Sequence, residues 1–350
     1  MNIFPKRNVD QDALRYNARL LRSIVGDFYC VVKCNAYGHG DLSCVKTLIS
    51  EGFHRYAVAN AAEACAVRSL SNDAEILVLG DTDISDIPIL IKKGIIQTVF
   101  SPEYASALSC LSARPKLHMK LDSSMNRTGF KAPDISAISR LSKHITGIYT
   151  HFPRADFQDF SETLGAYRNF LTAAKDAEHM LGKRLTRHAP ASASALRIPS
   201  DMLGDTLCRI GLSLYGYVPS EHVPNPNLKP VMTFVSRVCQ VHVAKKGEYV
   251  GYGSEYLCES DRIIATVLGG YAHGLFRALS GKYCAKIAGT NVKLAGRPCM
   301  DRCMFDITDI IEQGYTVKAG DPVVFFDDTE SALSFAKCAE TGIYEVLTAK

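Results

Sequence analysis

Eight short apolar runs, FYCVVK, RYAVA, EILVLG, IIQTVF, KLHMKLD, ITGIYTHF, RLTRHA and RIGLSLYG, follow one another before residue 220, most of them separated by a helix-length segment. Runs this rich in apolar and β-branched residues read as strands buried on both faces, which is the state of a parallel sheet covered by helices. Ahead of the first, Leu14, Ala18, Leu21 and Val25 recur at helical spacing and stop at Gly26. Eight β/α units in a stretch of this length match an α/β TIM barrel, (β/α)8, whose ligands bind at the strand C-terminal ends. An open doubly wound sheet fits less well. The first strand leads into Lys33 and NAYGHG where that fold places a G-x-G-x-x-G turn.

The pattern changes at PNPNLKP, residues 224–230, a Pro/Asn-rich stretch typical of a linker, and the sequence divides there into 1–228 and 229–350. Beyond it helical periodicity nearly vanishes. VMTFVSRVCQVHV, RIIATVLGG, KYCAKIAG and PVVFFDD have strand character, and YEVLTAK is expected to close the chain as a last strand of a mainly β C-terminal domain. A net charge of only +4, with basic and acidic residues interspersed, offers no nucleic-acid or membrane patch and points to small-molecule partners. The start, MNIFPKRNVD, lacks the apolar core of a signal peptide, and the sequence reads as cytoplasmic. The 12 cysteines form no CxxC pair, so they read as reduced structural thiols; Cys299 and Cys303 lack a neighbouring pair of metal ligands, and no metal is expected.

Chemistry enters where polar residues end apolar strands. Lys33 closes VVK, and a buried ammonium there needs a charge partner, a lowered pKa or a covalent role such as a Schiff base. Tyr37, Gly38 and Gly40 make a tight polar turn beside it, suited to presenting a hydroxyl and backbone amides to a phosphate. Lys120, His151, His188 and Arg209 stand at four further strand ends. One structural ion pair explains one such residue. A set of them around one barrel mouth marks an active site.

These residues carry a resemblance to alanine racemase, a pyridoxal-phosphate enzyme built from an α/β barrel and a C-terminal β domain. Its most specific segments are VVKCNAYGHG from Val31, RIGLSLYG from Arg209, GYGSEY from Gly251 and GRPCMDRCM from Gly296. The resemblance implies pyridoxal 5'-phosphate held covalently by Lys33, with Tyr37, Ser192, Gly211, Leu212 and Tyr344 around its phosphate. It implies Arg209 facing the pyridine nitrogen, with His151 holding that arginine. Because an arginine stays a donor, the ring nitrogen stays unprotonated and the ring is a weaker electron sink, which suits racemisation over decarboxylation.

Inversion at Cα needs a proton taken from one face and another delivered to the opposite face. By resemblance Lys33 serves one face and Tyr252, from the β domain of a second subunit, the other, which implies a head-to-tail homodimer. Arg127 is implied as the ligand of the alanine carboxylate, Lys120 as a carbamate that holds Arg127, and Met300 and Asp301 with Tyr271 as the lining of the substrate entrance. The implied role is interconversion of L- and D-alanine, supplying D-alanine for peptidoglycan. Rival readings are a serine or broader amino-acid racemase of the same fold and a non-catalytic pyridoxal-phosphate-binding protein. The latter consists of a barrel alone, and Tyr344 crowds the space a larger side chain would need. Cys34, Ala191 and His273 depart from the alanine, asparagine and aspartate usual at those positions, and the ending after Tyr344 is short.

Overall fold

The computed structural model describes residues 4–131 and 138–349. Strand β1 (Lys6–Val9) comes first, and the helix Gln11–Val25 follows it. That helix buries Leu14, Ala18 and Leu21 and stops at Gly26, whose φ of 73° is the left-handed cap that the periodicity anticipates.

Eight strands then close a parallel barrel: β2 (Phe28–Val31), β3 (Arg55–Val58), β4 (Glu75–Val78), β5 (Ile96–Val99), β6 (Leu117–Lys120), β7 (Ile145–Tyr149), β8 (Thr186–Ala191) and β9 (Leu207–Ile210). The first six fall within their apolar runs; β8 runs two residues past RLTRHA, and β9 starts two residues ahead of RIGLSLYG and overlaps it only at Arg209 and Ile210. Inside, Tyr29, Val31, Ala57, Leu77 and Ile96 pack as one apolar cluster. Across the lumen the filling turns polar, with His118, His188 and Arg209 all buried. Helices alternate with the strands, and one of them, Ala61–Arg68, is started by Asn60, whose side chain accepts the Glu63 N–H.

The second part is built on β10 (Met232–Ala244), a 13-residue strand that bends at two register shifts. With β13 (Arg262–Leu268), β14 (Cys284–Ile287), β15 (Thr290–Lys293), β16 (Arg302–Asp306) and β17 (Pro322–Phe326) it makes a sheet in the order β15-β14-β17-β10-β13-β16, and β1 also pairs with β10. By its contacts the chain divides into Gln11–Leu228 and a second unit, Met1–Asp10 with Lys229–Lys350. The first ten residues therefore depart from the 1–228 boundary, because Lys6–Val9 is zipped antiparallel to Met232–Val235. The closing segment departs too. Ile343–Thr348 is a helix, since the Glu345 carboxylate accepts the Gly342 N–H and starts a helical turn. No described helix is long and apolar enough to cross a membrane.

Phe335, on the helix Thr329–Cys338, is fully buried with Phe234, Phe276, Tyr283 and Phe326 at ring-centroid distances of 5.0 to 6.4 Å. It is the hub of this unit's aromatic core. Phe335→Ala should lower stability by about 3–5 kcal/mol. Denaturant unfolding checks this, and a change below about 1 kcal/mol would show that the neighbours close over the gap.

Candidate active site

At the end of β2 the backbone does something rare. After Lys33, the residues Cys34, Asn35, Ala36 and Tyr37 all have positive φ, between 51° and 55°, a full left-handed turn without a glycine. Each such residue costs roughly 1–2 kcal/mol. The turn is tied at both ends. Glu63 accepts the Cys34 N–H at 2.7 Å through one carboxylate oxygen and the Ala59 N–H at 2.8 Å through the other. At the far end, His39 Nδ1 lies 3.0 Å from the Ala36 carbonyl and 2.9 Å from that of Tyr37. Both are acceptors, so Nδ1 carries the proton. The Tyr37 ring packs against Tyr215, and its hydroxyl occupies the space that any side chain at position 211 would need. Gly211 is thus required by close approach.

Ser192 opens the short helix Ser192–Ala195, and its Oγ accepts the N–H groups of Gly211, at 3.0 Å, and Ser213, at 3.2 Å. Leu212–Tyr215 is a 3-10 turn starting at Gly211. Here a hydroxyl oxygen stands among backbone N–H donors at the C-terminal end of the last barrel strand, where such barrels bind phosphate. The buried Ser213 Oγ has no hydrogen-bond partner among the described residues, a polar atom left over beside these backbone N–H groups. Tyr37, Ser192, Gly211 and Leu212 are therefore brought together at this strand end, where they could hold a phosphate group. His39 and Glu63 escaped sequence reasoning, because an N-x-x-E pair reads only as a helix cap.

Arg209, 4% exposed, donates to the carbonyls of His188, at 2.9 Å, and Thr150, at 2.7 Å, and to Nδ1 of His188 and of His151, at 3.2 and 3.3 Å. Burial lowers its pKa to about 10, which still leaves it charged at neutral pH. A guanidinium only donates, so Nδ1 of His188 accepts and its proton sits on Nε2. That Nε2 lies 2.9 Å from His118 Nδ1, which extends the chain one ring deeper. His151 thus shares the arginine with His188, whose part was not legible beforehand. Lys120, nearly buried, donates to the Thr128 hydroxyl at 2.5 Å, and burial, with Arg127 and Arg209 nearby, pushes its pKa down to about 8. Burial likewise holds Lys33 below the usual lysine range, with Arg127 and Arg209 acting in the same direction against Cys34 and Glu63. Arg127 itself is exposed.

The remaining sequence candidates lie in the second unit. Tyr252 starts a 3-10 turn after β11 (Tyr249–Val250) and is 74% exposed. Gly253, with φ of 79°, lies against the Arg297 guanidinium, which pairs with Glu255. Met300, Tyr271 and Tyr344 are exposed large side chains, and Asp301 is exposed as well. His273 Nδ1 accepts the Gly270 N–H at 3.4 Å. The backbone of that turn holds Cys299 and Met300 through the N–H groups of Tyr271 and Ala272. Cys303 is buried and Cys299 half-buried; among the described residues no cluster of three metal-ligating side chains occurs.

The buried imidazoles carry a pH signature. Burial holds His118 and His151 down to about 3, and His151 is also pushed down by Arg209. In the unfolded chain they return to about 6.5. Their contribution is complete above about pH 6.5 and is lost as pH falls toward about 3, since the unfolded chain binds protons that the folded rings refuse. Imidazole NMR signals of both residues should not titrate between about pH 8 and 5. A ring titrating in that window would contradict the donor-acceptor chain.

Comparison with known proteins matches the same architecture. The family "Alanine racemase, N-terminal domain" matches residues 9–219, and "Alanine racemase, C-terminal domain" matches 231–350. Alanine racemase 1 of Clostridium acetobutylicum is 37% identical over 97% of this chain and 91% of its own length. The alanine racemase structure of Clostridium difficile 630 is 29% identical, covering all of this chain and 94% of its own, with a TM-score of 0.90. That from Bacillus anthracis with bound L-Ala-P is 28% identical over 100% and 94% of the two chains, with a TM-score of 0.88. With both family domains matched in order along nearly its whole length, the chain belongs to the alanine racemase family and is an enzyme of that family.

Proposed function

We propose that this enzyme interconverts L- and D-alanine with pyridoxal 5'-phosphate as cofactor and two bases, Lys33 and Tyr252, in the cytoplasm, and supplies D-alanine for peptidoglycan. The observation that carries the reading is the convergence, at one barrel mouth, of a lysine with depressed basicity, a donor-only guanidinium and a phosphate cradle. Pyridoxal phosphate, joined to an amino acid through its aldehyde, supplies a conjugated ring that delocalises the electron pair left when the α-proton departs. In this reading Ser192, Gly211, Leu212, Tyr37 and Tyr344 would hold the phosphate, Arg209 would donate to the ring nitrogen, and His151 would steady Arg209.

Lys33, with its pKa lowered, has a larger neutral fraction than an exposed lysine, so it can take the α-proton on one face of Cα. Tyr252 holds or receives the proton on the opposite face. The exposed Arg127 guanidinium, with five donors in a fixed fork, suits the substrate carboxylate, and Lys120 as a carbamate would orient it. Met300 helps to bound the substrate. A phenol 74% exposed, in a unit that also exposes Tyr249, Met300 and Tyr271, supports a partner that covers it: a second copy in a head-to-tail homodimer.

Incubation with L-alanine and pyridoxal phosphate should yield D-alanine, and Lys33→Ala should abolish both this conversion and the absorbance band of the lysine-bound cofactor. A band that survives in Lys33→Ala would remove the lysine from its role. Tyr252→Phe should cut racemisation at least about a hundredfold. In deuterated water it should leave α-proton exchange from D-alanine largely intact while nearly abolishing exchange from L-alanine. Mixing Tyr252→Phe with Lys33→Ala subunits should restore activity, because one of the two sites in the heterodimer has both groups. Equal loss of exchange for both enantiomers, with no rescue, would rule out the two-base shared site.

A further inference from the structure

We infer that Glu63 and His39 are positioning residues that clamp the left-handed turn after Lys33 and thereby aim the lysine amine at its cofactor; the inference rests on Lys33 being the cofactor lysine. A right-handed turn is the default for L-residues, so four successive non-glycine residues at positive φ persist only if their surroundings over-determine them. The backbone hydrogen bonds inside the turn, such as Ala36 N–H to the Val32 carbonyl and Gly38 N–H to the Cys34 carbonyl, do not explain the handedness, because a right-handed turn makes equivalent bonds. What distinguishes the two hands is where the end groups point. In the observed hand the first N–H, that of Cys34, reaches the Glu63 carboxylate, and the last two carbonyls, of Ala36 and Tyr37, converge on one ring nitrogen of His39.

Each clamp is itself anchored. Glu63 is fixed by the cap of its helix, its N–H donating to Asn60 at 3.0 Å, and by its second bond to the Ala59 N–H just beyond β3. The carboxylate therefore ties the loop after β2 to the loop after β3. His39 stacks on Tyr215 at 4.5 Å, and the Tyr215 hydroxyl donates to the carbonyl of Val31, the last residue of β2. Lys33 is thus bracketed: Val31 is held from one side through Tyr215, and Cys34 from the other through Glu63. The backbone between them, and with it the direction of the Lys33 Cα–Cβ bond, is therefore held from both sides. The same turn places Tyr37 against Gly211, so the clamp sets the lysine and one side of the phosphate cradle together.

The test uses the holoenzyme. Glu63→Gln keeps the shape of the side chain but replaces one accepting oxygen with a donating NH2, and Glu63→Asp keeps the charge but shortens the reach. Either should raise the dissociation constant for added pyridoxal phosphate, read from the absorbance band of the lysine-bound form, by about tenfold. Both should lower kcat more than they change KM for alanine, because the proposed substrate contacts lie elsewhere. Cys34→Gly, at an exposed position, removes the steric bias against positive φ. Placed in the Glu63→Gln background it should restore most of the lost affinity, and His39→Leu should respond to it in the same way. A scaffold role for Glu63 in its own helix would not be rescued by a glycine in a different loop. Folded Glu63 variants with unchanged pyridoxal-phosphate affinity, or a loss that Cys34→Gly does not restore, would overturn the inference. If the wild-type enzyme forms no such band, or Lys33→Ala retains it, the cofactor assignment fails first and takes the inference with it.

Discussion

The site depends on a guanidinium buried with no carboxylate partner among the described residues. Arg209 has lost nearly all its water, and its hydrogen-bond partners are two main-chain carbonyls and two imidazole nitrogens. Desolvating a charge is expensive unless every donor finds an acceptor. That requirement explains the neighbours: the imidazoles have to remain neutral to accept, and burial keeps His151, His188 and His118 well below their ordinary range. Tyr149 stacks on His188 at 4.6 Å and lies under the guanidinium, adding a ring face where no anion is available. A carboxylate partner would neutralise Arg209 from inside the barrel. With no such partner among the described residues, its charge is balanced only by the carbonyls, imidazoles and ring face around it.

The barrel was legible because its strands are buried on both faces and so are written as continuous apolar runs, and Lys33, Lys120, His151, His188 and Arg209 stood out as interruptions of those runs. The clamps on the Lys33 turn were not legible. Glu63 lies in a helix pattern with an ordinary capping signature, and nothing in the local sequence reveals that its carboxylate reaches a different loop. The left-handed path of Cys34–Tyr37 was hidden for a related reason: Gly38 and Gly40 advertise a turn, whereas Cys, Asn, Ala and Tyr do not advertise positive φ. Tertiary partners decide this backbone, and tertiary partners are what sequence periodicity omits.

The second unit shows the same limit from the opposite side. Strand character was legible in its alternating segments, yet KRNV at Lys6–Val9 carries too little apolar signal to reveal that it pairs with β10, more than 200 residues away. Ile343–Thr348 reads as a strand from Ile, Tyr and Val, and the capping contact between Glu345 and Gly342 decides for helix. Propensity is a weak prior, and a single satisfied N–H outweighs it in so short a segment.

The charges of the barrel mouth also explain one another. Lys33, Lys120, Arg127 and Arg209 lie close enough that the two arginines lower both lysines, against the opposing charges of Glu63 on Lys33 and Asp122 on Lys120. Such a set is self-repelling, and in a partly dry site the repulsion is felt more strongly than in water. An anion held there would relieve it, so the same repulsion that adds to burial in lowering the basicity of Lys33 favours anions at this mouth. By linkage the effect is reciprocal: each anion that binds raises the affinity of the lysines for protons, and each proton taken up strengthens the hold on the anions. Proton affinity and anion affinity at this mouth are therefore linked, through burial and through the charges of Arg127 and Arg209.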